Sequence, residues 1–269
     1  PAAARILFLA MEATEMNQDA KHILDAALRD ALPGAAVGQA LDQIAFQPGG
    51  RLILVAAGKA AWEMARAAHE RLGGRIDAGV VVTKYDYSRG PLGSLEIYEA
   101  GHPVPDENSY RATARALEVV SGLTEADSVL FLLSGGGSAL FEQPLIPAEE
   151  LADITRQLLA CGANIVEMNT LRKRLSAVKG GRFALSCAPA HVYAVVLSDI
   201  IGDPLDMIAS GPAYPDASTC AQAQEIASRY GLRLSDAARA LLGQETPKEL
   251  TNVTTFITGS VRQLCRTAA

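Results

Sequence analysis

A three-layer α/β domain built on a largely parallel sheet is the fold class this sequence predicts. Short β-branched or aliphatic runs alternate with longer stretches of helical periodicity, the pattern of strand–helix–strand crossovers. Some of these runs break into glycine where a strand would hand over to a helix, as in FLLSGGGSALFE at residues 131–142. With 269 residues, 49% of them hydrophobic, the chain can bury a sizeable core.

Taken in order, residues 3–31 read as an opening helix that stops at Pro33-Gly34. RLILVAAG (51–58) follows as a buried strand, and KAAWEMARAAHERLGG (59–74) as a helix ended by glycines. GVVVTK (79–84) and SLEIYEA (94–100) are two more strands, separated by a polar loop containing Gly90-Pro91. Asp106 or Asn108 can cap a helix running to Val120. DSVLFLLS (127–134) then enters the triple glycine as a strand. Helical stretches over 147–161 and 165–186 lead to the strand HVYAVVLSD (191–199), and a long loop with three prolines leads to helices over 220–242. NVTTFITGS (252–260) reads as one more strand and VRQLCRTAA as the first turns of a helix. Together these make a Rossmann-like arrangement. Such a last unit normally continues into another parallel strand, so the chain is expected to be the N-terminal part of a longer protein. Residues 1–250 would form the α/β domain and 251–269 the start of a connection to a C-terminal domain.

Composition excludes several functions. The net charge of −6, from 24 Lys plus Arg against 30 Asp plus Glu, with no basic run, argues against nucleic acid as a partner. Any anionic ligand must be held by a local site. The four cysteines are scattered, with no C-x-x-C pair, and read as reduced thiols in a cytoplasmic protein. ILFLAM near the N-terminus is too short for a membrane span. The histidines form no H-E-x-x-H pattern.

In an open parallel sheet, ligands gather outside the carboxyl ends of the strands, and three such ends carry chemistry. One delivers Gly58-Lys59, one delivers Ser134-Gly135-Gly136-Gly137-Ser138, and one delivers Ser198-Asp199 with Gly202-Asp203 close behind. Successive glycines permit positive φ and let a ligand approach the backbone, so this turn suits a phosphate or carboxylate; the plainer alternative is a tight turn packed against a neighbour. It is neither a G-x-x-x-x-G-K-[ST] loop nor a G-x-G-x-x-G dinucleotide fingerprint. Lys59 falls at a helix start, where the helix dipole disfavours a cation unless an anion shares the site. Asp199 and Asp203 suit Mg²⁺ binding or deprotonation of a hydroxyl, or else cap a helix or fix the loop. NTLRKRLSAVKGGRFA (169–184) carries five cations, most of them expected on solvated faces. Arg172, Lys179 and Arg182 share one side of a helix unless Gly180-Gly181 breaks it, and could hold a carboxylate or polyphosphate. His102 in the turn GHPVPDE is either a structural residue or a ligand contact, and Trp62 is expected in the core or an interface.

AAGKAAWEMARAA, EAGHPVPDEN, LLSGGGSALFE, NTLRKRLSAVKGGRFA and LSDIIGDPLDMIASGPAYPD, in this order, closely resemble the glycerate 2-kinases whose C-terminal portion is called the MOFRL domain. The likeness runs from about Leu52 to the end of the chain. It implies ATP- and Mg²⁺-dependent phosphorylation of the 2-hydroxyl of D-glycerate to 2-phosphoglycerate, in a cleft between two domains. It implies Lys59 and Asp199 as the catalytic lysine and aspartate, with a catalytic arginine from the C-terminal domain. Ser134, Gly135, Gly136, Gly137, Ser138, Arg172 and Lys179 are then expected to bind substrate or phosphate, and Asp203 the metal. The chain alone would be incomplete and inactive, with a homodimer compatible. Two alternatives stand beside this: a hydroxypyruvate reductase, a label such proteins often carry, and a non-catalytic anion-binding regulatory domain.

Overall fold

The computed structural model describes residues 18–30, 32–198, 204–258 and 261–269. Strand-forming runs that are apolar at every position become the middle of the sheet. β1 (Leu52–Ala57) and β4 (Ser128–Leu133) are buried throughout, as strands covered on both faces must be. β2 (Ala78–Lys84) and β3 (Glu96–Ala100) extend the sheet from one side of β1; β5 (His191–Leu197) and β6 (Val253–Thr258) extend it from β4. Among the described residues the sheet has six strands in the order 3-2-1-4-5-6, all paired in parallel. The chain reverses its winding between β1 and β4, which makes that boundary the topological switch point.

The two-residue period of a strand sorts the core. Ile53, Val55, Ala57, Val129, Phe131 and Leu133 face one side; Leu52, Leu54, Ala56, Leu130 and Leu132 face the other. Four helices start the helical layers: α1 (Gln18–Asp30), α2 (Pro33–Leu41), α3 (Ala61–Leu72) and α4 (Glu107–Val119). α4 covers the first face through Ala112 and Ala116, and its start is fixed by Asp106, which accepts from the Ser109 amide at 3.0 Å. Phe131, Phe141 and Phe183 fill the rest of that face, with ring centroids 4.7 Å apart for Phe131–Phe183 and 5.1 Å for Phe141–Phe183. α2 and α3 cover the second face through Val37, Ala40, Met64 and Ala65.

The chain continues with α5 (Gly137–Leu140), α6 (Ala148–Ala160), α7 (Ile165–Arg174), α8 (Arg182–Ser186), α9 (Cys220–Arg229), α10 (Asp236–Leu242) and α11 (Val261–Ala268). α6, α7, α9 and α10 enclose a separate apolar cluster that includes Leu158, Leu171, Ile226 and Ala238. This helical annex carries α7 to the carboxyl edge of the sheet.

The opening helix ends at Asp30, before Pro33-Gly34 as expected, and Pro33 begins a second, unexpected helix at its first turn, where its missing N–H costs nothing; residues 3–17 and 31 of the expected helix lie outside the described residues. One expectation needs correction. The helix expected over 165–186 stops at Arg174, because Ser176 makes a β-bridge with Pro144 and both Gly180 (φ 58°) and Gly181 (φ 84°) are left-handed. The helices expected over 220–242 are present as two, parted by Gly231 at φ 56°. At the other end, β6 pairs with β5 along its whole length, so the sheet extends past residue 250.

Candidate anion site at the switch point

The two strand ends flanking the switch point are laced into one unit. Gly58, at φ 124°, follows β1 and donates its N–H to the Val82 carbonyl at 3.1 Å. A Cβ at Gly58 would lie 2.2 Å from the Ser134 hydroxyl oxygen, so no other residue lets the turns approach this closely. Ser134 donates its amide to Ala57 O at 3.0 Å, and the Lys59 amide donates to Gly135 O at 2.9 Å. The Ser134 Oγ accepts from the Ala60 amide at 3.0 Å. That hydroxyl, expected to meet an anion, is buried and serves the start of α3 instead.

Gly136 is the centre of the turn. It is left-handed at φ 88°, and a Cβ on it would sit 3.0 Å from His102 Cδ2 and 3.2 Å from Lys59 Cγ. Lys59 and His102 therefore stand close against the same glycine. The amides of Gly135 and Gly136 find no protein acceptor among the described residues, and Lys59 no carboxylate at ion-pair distance. Half-buried backbone donors rarely stay unpaired, and here they lie beside an exposed cation with no ion-pair partner among the described residues. Burial, followed by the charges of Lys59 and Lys84, pushes the His102 pKa below its ordinary value, which keeps the imidazole neutral at pH 7.

The far side of the turn is shaped by the loop after β5. A Cβ at Gly137 would meet Ala209 Cβ at 2.7 Å. Ser138 Oγ lies 3.2 Å from Ser210 Oγ, which donates to Asn169 Oδ1 at 3.0 Å. Ala209 (φ 49°), Ser210 (φ 62°) and Gly211 (φ 64°) are all left-handed. For the two non-glycine residues this costs about 1–3 kcal/mol each, so the surrounding contacts must over-determine the conformation.

The expected cations do not line the open turn. Arg172 donates through Nη2 to Ser138 O at 3.3 Å, and Lys179 through Nζ to Phe141 O at 3.1 Å. Both contact carbonyls at the rear of α5, where a cation is electrostatically at home. Lys179 is fully buried and pairs with the equally buried Glu142 at 2.7 Å; burial first, then Arg172, pulls its pKa down to about 8 against the pull of Glu142. Arg182, broken off from α7, donates to Ser176 O at 3.4 Å. Asp199 and Asp203 lie outside the described residues. The structure adds Ala209, Ser210 and Asn169 to the site's surroundings; the sequence signal for the first two was a loop rich in glycine and proline directly after a strand, and Asn169 opens the cationic stretch 169–184. Trp62 is buried as expected and donates to Gly90 O at 2.9 Å. It lines a groove of about 940 Å³ between α2 and α3 that reaches Lys59.

An open-sheet α/β domain whose ligand edge joins a glycine turn, a lysine and a neutral histidine is the class this geometry defines. Residues 19–243 match a family described as a domain of unknown function, DUF4147. The D-glycerate 2-kinase of Thermotoga maritima is 52% identical over 245 residues, 90% of this chain and 58% of that protein. A putative hydroxypyruvate reductase of Agrobacterium vitis is 43% identical over 236 residues, 86% of this chain and 53% of that one. The crystal structure of glycerate kinase from Thermotoga maritima superposes with a TM-score of 0.89 at 51% identity, covering 93% of this chain and 60% of its own. The chain belongs to the glycerate kinase family, in which it corresponds to the N-terminal domain. It spans little more than half the length of these relatives.

Proposed function

We propose that this domain supplies one wall of an ATP-dependent glycerate 2-kinase, a second domain of the same protein supplying the other. The observation that carries the reading is Gly136: two amides and a lysine without partners among the described residues, together with a neutral imidazole, surround a left-handed position that leaves a side chain little room. In that reading the 2-hydroxyl oxygen of D-glycerate attacks the γ-phosphorus of ATP, the bond to the β–γ bridging oxygen breaks, and ADP leaves. Asp199 orients the hydroxyl and takes its proton, and Lys59 neutralises charge on the transferring group. The Gly135 and Gly136 amides hold a phosphate or the substrate carboxylate. Arg172 and Lys179 act from behind, by fixing α5.

Among the described residues no three His, Cys, Asp or Glu side chains cluster as a metal site. Mg²⁺ commonly takes one or two carboxylates and completes its shell with water and substrate phosphates; we assign the protein oxygen to Asp203. Bound there with nucleotide, Mg²⁺ would supply neutralisation of the phosphate charge. The strand order also suits a dinucleotide, but residues 58–63 read Gly-Lys-Ala-Ala-Trp-Glu, without the glycines that let a pyrophosphate approach, which favours the kinase over the reductase.

A coupled ADP-release assay on the full-length gene product tests the reading. ADP formation that depends on D-glycerate is expected. Reduction of hydroxypyruvate by NADH without ADP release would sink it.

A further inference from the structure

A second group of charges lies beside the anion site but outside it, at the buried end of α7. The Lys173 ammonium, 3% exposed, is 3.4 Å from Asp206 and 3.2 Å from Asp216. Asp216 is well served without it. It accepts from Ser218 N at 3.1 Å, Ser218 Oγ at 2.8 Å and Thr246 Oγ1 at 2.8 Å, with Arg174 3.6 Å away. Asp206, 39% exposed, has no partner but Lys173 among the described residues. What Lys173 alone provides is a tether for Asp206, a partly exposed carboxylate held by a buried ammonium.

The tethered segment leads directly to the site. A Cβ at Gly211 would meet Asp206 Cα at 3.1 Å and its carbonyl oxygen at 3.3 Å, so the backbone at Asp206 packs against the end of the left-handed run. Ala209 and Ser210, two and one residues before Gly211, are the groups that touch Gly137 and Ser138. Asn169, four residues before Lys173 and on the same helix, holds Ser210 directly. α7 therefore holds the loop through Asn169, which also donates to Met207 Sδ at 3.5 Å, and through Lys173, while the Gly180 and Gly181 amides donate to the Ser210 and Gly211 carbonyls.

We propose that Lys173 is a positioning residue: by holding Asp206 it fixes the loop that shapes the Ser138 side of the anion site. Its effect on turnover rests on the kinase reading above; its effect on the loop does not. In the full-length protein, Asp206→Asn should lower kcat/KM for D-glycerate about tenfold, as small misplacements at a reacting centre do, without shifting the melting temperature. Lys173→Met should lower it at least as much. Adding Asp206→Asn to Lys173→Met should then cost nothing further, because a broken tether cannot be broken twice. Hydrogen exchange over residues 205–213 should quicken in Asp206→Asn. Full activity in Asp206→Asn, or losses that simply add in the double variant, would overturn the proposal. If the parent protein shows no kinase activity the kinase reading fails instead, and exchange still decides: unaltered rates over 205–213 would refute the tether.

Discussion

Lys59 stands at the start of a twelve-residue helix, where the aligned peptide dipoles repel a cation, and among the described residues no carboxylate lies at ion-pair distance to compensate. Such a placement is stable only because the surrounding turns fix it, and it makes sense if an anion completes the site. Lys59→Ala is expected to lower kcat of the full-length enzyme about a hundredfold or more, the usual loss for a transition-state charge partner, with little change in melting temperature; Asp199→Asn should do likewise. Near-parental turnover in either variant would remove the role given to that residue. The same charge depresses the His102 pKa after burial has done most of the work, so Lys59→Ala should raise that pKa, as read by NMR of the imidazole. Stability follows with a definite sign. Below about pH 6.5 the unfolded chain takes up a proton on His102 before the folded chain does, so stability falls as pH drops through that region and is unaffected above it. His102→Gln should flatten that fall in thermal melts. Gly58→Ala should destabilise by about 3 kcal/mol or more, since it combines a 2.2 Å clash with left-handed backbone; a variant of parental stability would contradict the close approach of the two turns.

Among the elements, the strands were the most legible. Six strand-like runs became six strands, most plainly β1 and β4, where burial on both faces leaves little room for polar residues, and the turn after β4 was visible as three glycines. Helix ends were less legible. Pro33 reads equally as a stop or as a first-turn residue, and what decides is that Val37 and Ala40 can reach the sheet. The stretch from 165 to 186 has helical composition, but the bridge at Ser176 and the packing of Gly180 and Gly181 against the 210–216 loop end the helix. That break turns a presumed cationic face into separate anchors, something no periodicity reveals. Lys179 is the clearest case, since only the fold shows its charge facing Glu142. Glu142→Gln should cost about 3–5 kcal/mol in urea unfolding, because it leaves a buried ammonium uncompensated. Removing both charges with Lys179→Met and Glu142→Gln should cost less than the sum of the single changes. Additive losses would mean the two groups do not act as a pair.

For the molecule as a whole, fold class and family could be read from the sequence, because an alternating pattern and five motifs in order each carry much information. The second wall that the proposed kinase reading calls for could not be read from these 269 residues. A cleft enzyme assembles its catalytic groups only when both walls meet. The 269-residue chain should accordingly fold by itself, around two apolar layers and the annex cluster, yet phosphorylate glycerate negligibly in the assay that the full-length protein is expected to pass. Its anion site should survive, because the donors at Gly135 and Gly136 are local to one strand end. The most direct test is therefore a titration of the isolated chain with inorganic phosphate, followed by NMR of the backbone amides and histidine rings. Saturable shifts at Gly135, Gly136 and Lys59, with an upward movement of the His102 pKa, are the predicted result; shifts confined to other parts of the surface, or none at these residues, would contradict an anion site at the switch point.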